Sequence, residues 1–282
     1  MVRILDWKRS EDPRDVVHVV VQALAEGRLV LLPTETSYLL AAGGLNESAV
    51  QRLMQFPGRI ANQPLTLLLR SPDEVVDYAT KMSPVAKRVA ARGWPGPLAL
   101  ELPADPDESL FGRLPETVRS ALNIEGGFVA MQVPAHQAVA DALQFLPGPI
   151  VAAELDAGDG TPLCEPQLRS EQSSDPSLAF LVDDGRTHFG GSATHLRIDG
   201  SCCSVARAGV LDKSVLVGLG QLTVLLVCTG NTCRSPMAET LLRAQLQQRF
   251  AKLFAPGAPA PAIAISAGLS AYPGGNASPE AM

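Results

Sequence analysis

Apolar positions along this chain recur at two spacings. From Asp12 to Gly27, Val16, Val17, Val20 and Leu24 mark one face of a helix, with Asp12 placed to cap it, Pro13 in its first turn and Gly27 as its stop. The run RLVLL (28–32) has the continuity of a buried strand and breaks at Pro33. Asn46 caps a second predicted helix, with Val50, Leu53 and Met54 turned inward. LTLLL (65–69) predicts another strand, and Ser71-Pro72 and Ser83-Pro84 each open a helix. PLALEL (97–102), FVAMQV (128–133) and PIVAAE (149–154) read as strands, with a helix at 135–144. A loop rich in Gly, Pro, Asp and Ser fills 155–177, and strands follow near 178–182, 193–198 and 203–207. Helices and strands mix without strict alternation, which predicts an α/β domain around a mixed sheet.

A second pattern begins near Leu222. LTVLLVC predicts a strand, 235–250 a helix and AIAIS (262–266) a second strand, with PGAPAPA (256–262) as a stiff extended connector. This is one βαβ unit, and two strands alone are marginal. The expected division is a domain over 1–212, a linker over 213–221 and an incomplete unit over 222–282, with no internal repeat.

Bulk properties narrow the picture. The 282 residues are 46% hydrophobic and carry a net charge of −6, which excludes a surface that coats nucleic acid generally while leaving a local RNA or nucleotide pocket open. The N-terminus lacks the apolar core of a signal peptide, and no apolar run reaches the roughly 20 residues of a membrane span. Cysteines at 164, 202, 203, 228 and 233 show neither a secreted framework nor a CxxC pair, and the histidines at 18, 136, 188 and 195 are scattered. The expectation is a cytoplasmic protein without membrane association or metal site. The Cys202-Cys203 pair is expected to be half-buried and inert.

The sharpest chemical signal is Cys228-Thr229-Gly230-Asn231-Thr232-Cys233-Arg234-Ser235, between the strand and the helix of the second unit. The stretch VCTGNTCRSPMAE resembles the low-molecular-weight tyrosine phosphatase and arsenate reductase family. A loop of this length turns backbone amides around one anion, and the next helix adds its positive end. Gly230 permits close approach, Asn231 holds loop shape, and Arg234 can grip two oxyanion oxygens. The same field lowers the pKa of Cys228, the expected nucleophile, and Ser235 would donate to its thiolate. Cys233 is near enough in sequence to form a protective disulfide with Cys228. Thr232, where tyrosine-selective members carry a bulkier aliphatic residue, resembles the arginine-phosphatase branch. No aspartate follows Asp212, so the family's general acid is missing from the sequence, and Glu239 and Glu280 are the remaining carboxylates. Phosphate or arsenate should bind, and natural phosphoesters should turn over poorly.

The first unit carries PTETSY (33–38), WPGPLAL (94–100), VPAHQAVADAL (133–143), LVDDGRT (181–187) and VARAGVL (205–211). This succession resembles the YrdC-like family, the threonylcarbamoyl-AMP synthases of tRNA modification, over about residues 10–212. The resemblance implies a twisted mixed sheet with surrounding helices. It also implies a cavity combining threonine, bicarbonate and ATP into a threonylcarbamoyl adenylate. ATP is then a substrate with Mg2+ as its companion ion, no cofactor is tightly held, and RNA or other tRNA-modification proteins are candidate partners. By the same resemblance Thr34, Thr36 and Tyr38 line the threonine end, Arg59 grips phosphates, and Ser192 and Arg207 lie on the nucleotide side. The sequence departs from the family pattern at Pro57-Gly58, where a lysine is usual, at Leu39 for a glycine and at Gln132 for an arginine. It also has Ala153-Glu154-Leu155-Asp156-Ala157-Gly158 in place of a Ser/Asn nucleotide loop. Each lost charge-assisted contact is worth about 1.5–3 kcal/mol. Three readings stay open: a synthase-like enzyme, a cysteine phosphatase with an accessory domain, and a YrdC-like module that binds nucleotide or RNA without chemistry.

Overall fold

The apolar runs at 29–33, 38–43 and 150–154 become strands buried at every position, the pattern expected of a sheet covered by helices. A computed structural model describes residues 2–60, 63–250, 261–272, 277 and 278. The chain divides into two compact units, Met1–Asp212 and Lys213–Met282. The first runs β1 (Arg3–Asp6), α1 (Pro13–Ala25), β2 (Leu29–Pro33), β3 (Tyr38–Gly43), α2 (Glu47–Gln55), β4 (Thr66–Leu68), α3 (Val75–Tyr78), α4 (Pro84–Gly93) and β5 (Leu98–Pro103). It continues with α5 (Glu116–Leu122), β6 (Asn123–Ile124), β7 (Phe128–Gln132), α6 (Gln137–Phe145), β8 (Ile150–Glu154), α7 (Ser170–Ser173), β9 (Leu178–Asp183), β10 (Thr194–Asp199) and β11 (Cys202–Arg207). Its sheet has the order β1-β9-β2-β3-β8-β4-β7-β5-β10-β11, with β6 against β7. Parallel pairs (β1/β9, β2/β9, β4/β7, β5/β10) and antiparallel pairs (β2/β3, β3/β8, β4/β8, β5/β7, β10/β11) are combined in it, giving the mixed sheet of the YrdC-like fold.

Local chemistry sets the helix ends. Asp12 accepts the Arg14 N–H at 2.9 Å, Asn46 the Ala49 N–H at 3.0 Å and Ser83 the Ala86 N–H at 3.2 Å. Helices α1 and α6 lay Val16, Val20, Leu24, Val139, Ala142 and Leu143 on Val30, Leu32, Ala41, Ile150 and Ala152 of the sheet. Each buried leucine of this kind contributes about 1.5–3 kcal/mol. Three expectations change. Met54 points outward and is 42% exposed, because the face of α2 ends at Leu53. Ser71-Pro72 opens a 3-10 turn that leads into the four residues of α3. Cys202 and Cys203 are exposed on β11, which pairs with β10 at the end of the sheet.

The second unit holds α8 (Lys213–Gly220), a helix in the segment expected to link the units, then β12 (Leu222–Cys228), α9 (Arg234–Phe250) and β13 (Ala262–Gly268). β12 and β13 pair in parallel from Leu222↔Ala262 to Cys228↔Gly268, an incomplete βαβ unit of low-molecular-weight phosphatase type. Leu225, Val227 and Ile265 stand exposed on it. The proline-rich connector expected at 256–262 lies outside the described residues as far as position 260. Among the described residues no helix is long and apolar enough to cross a membrane.

Candidate functional site

The second unit brings its loop residues together around one sulfur. Cys228 ends β12 and Arg234 opens α9, so the intervening residues must reverse the chain within one short loop. Asn231 does this in the left-handed region, at φ 53°, and its N–H reaches the Cys228 Sγ at 3.2 Å. Ser235 is buried, with its Oγ 3.0 Å from that sulfur and 2.8 Å from Asn231 Oδ1. A hydroxyl has one proton. Asn231 Oδ1, Ala267 O at 3.3 Å and the sulfur all lie within its reach, and an ionised Cys228 is the charged acceptor among them. The Ser235 hydroxyl, then the amides of Ser235, Asn231 and Gly230, pull the Cys228 pKa down to about 7 against a smaller opposing effect of burial.

The rest of the loop is held from β13 and beyond. Leu269 N–H donates to Cys228 O at 3.0 Å, Ser270 N–H to Thr229 O at 2.8 Å and Ser278 N–H to Thr232 O at 2.8 Å. A Cβ on Gly268 would come within 2.8 Å of Asn231 N, so this strand end needs glycine for close approach. Its sequence signal is an isolated glycine closing an apolar run. Thr232, Cys233 and Arg234 are exposed, and Cys233 Sγ lies 3.2 Å from Ser278 Oγ. Arg234 makes no ion pair among the described residues, whereas Glu239 is tied to Arg243 at 2.6 Å. Glu280 lies outside the described residues.

In the first unit the expected ligand groups are mostly spent within the fold. Thr34 Oγ1 accepts the N–H groups of Thr36 (3.1 Å) and Ser37 (3.2 Å) and donates to Ser37 O at 2.6 Å, closing the β2–β3 turn. Tyr38 is fully buried; its hydroxyl donates to Gly185 O at 2.7 Å and accepts from Asp184 N at 3.1 Å. Arg59 donates to the carbonyls of Met54 (3.3 Å) and Gln63 (3.0 Å). Thr36, Ser192 and Arg207 do converge, and Glu154 sits among them. Its Oε2 accepts from Ser192 Oγ at 2.9 Å and from Arg207 Nη1 at 2.9 Å, and its Oε1 from Ser37 Oγ at 3.4 Å. The cavity bounded by Thr36, Gln132, Glu154, His195 and Arg207 holds about 10 Å3, the space of one water.

A buried chain of charge continues from there. Arg207 Nη2 can only donate, so His195 Nε2, 2.7 Å away, accepts. Nδ1 of His195 then bears the proton and donates to Glu101 Oε1 at 3.4 Å, while Arg197 Nε donates to Glu101 Oε2 at 2.8 Å. Burial drives the His195 pKa down, against the pull of Glu101. Burial works to raise Glu101, but the bonds from His195 and Arg197 outweigh it and hold that carboxyl below the usual range. Sequence reasoning missed Glu101, His195 and Arg197; the signal was His195 and Arg197 two apart on one strand face. A separate cleft of about 390 Å3 is lined by Glu35, His136, Asp184, Arg186 and His188. There His136 Nδ1 caps α6 by accepting Ala138 N–H at 3.2 Å and Nε2 faces Asp184 at 3.2 Å, so both ring nitrogens are taken.

Comparison with known proteins matches both units. Residues 22–209 fit the Sua5/YciO/YrdC family, described as "Telomere recombination", and residues 223–282 fit the low molecular weight phosphotyrosine protein phosphatase family. The threonylcarbamoyl-AMP synthase of Pyrococcus abyssi is 29% identical over 193 residues, covering 68% of this chain and 51% of that protein. The synthase of Bacillus subtilis is 27% identical over 212 residues, covering 75% of this chain and 58% of that protein. The chain thus spans only about half the length of these curated relatives. The crystal structure of P. abyssi Sua5 complexed with L-threonine shares the fold at TM-score 0.60 and 19% identity, covering 95% of this chain and 84% of that one. With residues 22–209 matched, more than half its length, the chain belongs to the Sua5/YciO/YrdC family, fused to a C-terminal unit of low-molecular-weight phosphatase type.

Proposed function

We propose that this is a threonylcarbamoyl-AMP-synthase-like protein whose N-terminal domain keeps the family fold but does not join threonine, bicarbonate and ATP, and whose reactive centre is Cys228. The observation that carries this reading is Glu154, seated on Arg207 and Ser192 in a space of about 10 Å3. A triphosphate needs cations with free donors. Here the nucleotide-side arginine is engaged by the chain's own carboxylate, Leu155 is fully buried, and Asp156 Oδ1 is occupied by the N–H groups of Gly158 (2.8 Å) and Gly160 (2.9 Å).

At the other site the Cys228 thiolate attacks phosphorus; a P–S bond forms and the P–O bond to the leaving group breaks. The loop amides and Arg234 hold the oxygens that gain charge, and water then hydrolyses the phosphocysteine. Among the described residues of this unit Glu239 is committed to Arg243, so the leaving atom takes its proton from water. A nitrophenolate needs no such proton, whereas a phosphotyrosine or phosphoarginine leaving group does. The expected result is hydrolysis of 4-nitrophenyl phosphate that vanadate inhibits and Cys228→Ser abolishes. No pyrophosphate should be released from ATP with threonine and bicarbonate. Threonine-dependent pyrophosphate release by the wild-type chain overturns the first half of the reading, and hydrolysis retained in Cys228→Ser overturns the second.

A further inference from the structure

We propose that Glu154 is a resident anion, an autoinhibitory side chain that occupies an oxyanion place between Arg207, Ser192 and Ser37 and so shuts the N-terminal pocket to phosphate-bearing ligands. The inference rests on the reading that this domain does not adenylate, and it names what closes the site.

The donors around the Glu154 carboxylate are those an oxyanion takes. A guanidinium and a hydroxyl meet on one oxygen, and a second hydroxyl approaches the other. Position 154 ends β8, where its backbone is fixed against Leu39 of β3 and its carbonyl accepts Ile60 N–H at 3.2 Å. The side chain is delivered inward by the strand and is 7% exposed. Arg207 remains under-used. It gives one Nη to Glu154 and the other to His195, and its Nε is buried with no acceptor. Its planar fork is suited to gripping an anion through two N–H groups at once, and the resident carboxylate takes only one.

Charge decides which ligand is admitted. Glu154 and Glu101 are balanced by Arg207 and Arg197, and His195 is neutral because its Nε2 accepts from Arg207. A phosphate entering this closed set would bring uncompensated negative charge into a largely buried place, which is strongly unfavourable. With the Glu154 charge removed, the same place carries one unmatched cation and two hydroxyls, with room where the carboxylate lay.

The test is calorimetric titration of the full chain with pyrophosphate, every protein carrying Arg234→Ala to quiet the C-terminal loop. The parent should give only the weak heat of the remaining amide loop. Glu154→Ala should bind pyrophosphate at least tenfold more tightly than the parent, and adding Arg207→Ala should abolish the gain. Glu154→Ser also removes the charge and empties the place of the carboxylate, so it should show a gain of the same sign, and it decides alone if the Ala variant does not fold. A folded Ala or Ser variant that binds no better than the parent overturns the proposal. Failure of the preceding reading shows itself differently, as threonine-dependent pyrophosphate release from the wild type.

Discussion

The two places proposed to hold an anion are built from different materials. Around Cys228 the donors are mainly backbone amides, set by the left-handed turn at Asn231 and the first turn of α9. In the N-terminal pocket the donors are side chains, Arg207, Ser192 and Ser37, drawn from distant parts of the chain. An amide cradle survives most single substitutions, because every residue brings the same N–H. A side-chain pocket can be filled by one carboxylate, and Glu154 fills it.

Arginine replacement should break the comparison most visibly. Arg234→Ala removes two charge-assisted bonds to a bound oxyanion, each worth about 1.5–3 kcal/mol. Vanadate inhibition should weaken by about 100-fold or more, with the melting temperature almost unchanged. Arg207→Ala should do the reverse, leaving Glu154 buried without its cation. The loss is about 3–5 kcal/mol for a fully buried pair and about 2 kcal/mol for this partly exposed guanidinium, read by denaturant unfolding with vanadate inhibition intact. Equal stability losses in the two variants would erase the distinction.

A second, smaller change sharpens it. The wild-type thiol is held at about 7, so alkylation by iodoacetamide should accelerate as pH rises through that value. Ser235→Ala removes the largest single cause, and the midpoint should move up toward the ordinary thiol value of about 8.5. A one-unit move lowers the thiolate fraction at neutrality about fivefold, and an unmoved midpoint would mean the amides alone suffice.

The smallest effect concerns His195, whose folded pKa lies below the unfolded value of about 6.5. On acidification through that value the unfolded chain binds a proton that the folded chain refuses, so stability present above it is lost as pH falls. His195→Gln lacks this proton. Wild type should lose melting temperature relative to His195→Gln between pH 7 and pH 5, and a constant gap would show that the folded chain takes up the proton as readily as the unfolded one.

What the sequence disclosed follows the same division between local and distant. The Cys228–Ser235 loop is contiguous, so the contacts of Asn231 and Ser235 with the Cys228 sulfur lie within reach of its letters. α1 and α4 carry their own punctuation in Asp12-Pro13 and Ser83-Pro84, and the structure keeps it. β1 and β3 were not predicted. RILD has no apolar alternation long enough to mark a strand, and YLLAAG runs straight out of a motif that draws the eye to chemistry. α5 shows only Val118 and Leu122 as buried positions, too few for a period. In the N-terminal pocket, the substitution at Glu154 was visible as a carboxylate where an anion belongs. Its partners were not, since Arg207 is 53 residues away and the Glu101–Arg197 pair spans 96.

Gly268 carries the last consequence. It has no side chain, yet a single methyl there would collide with the Asn231 nitrogen and the Gly230 carbonyl carbon at 2.8 and 2.9 Å. The strand end works as a gauge block: the curvature of the reactive loop is calibrated by an absence of atoms on the neighbouring strand. Engineering a new specificity into this loop therefore begins by leaving that empty spot alone.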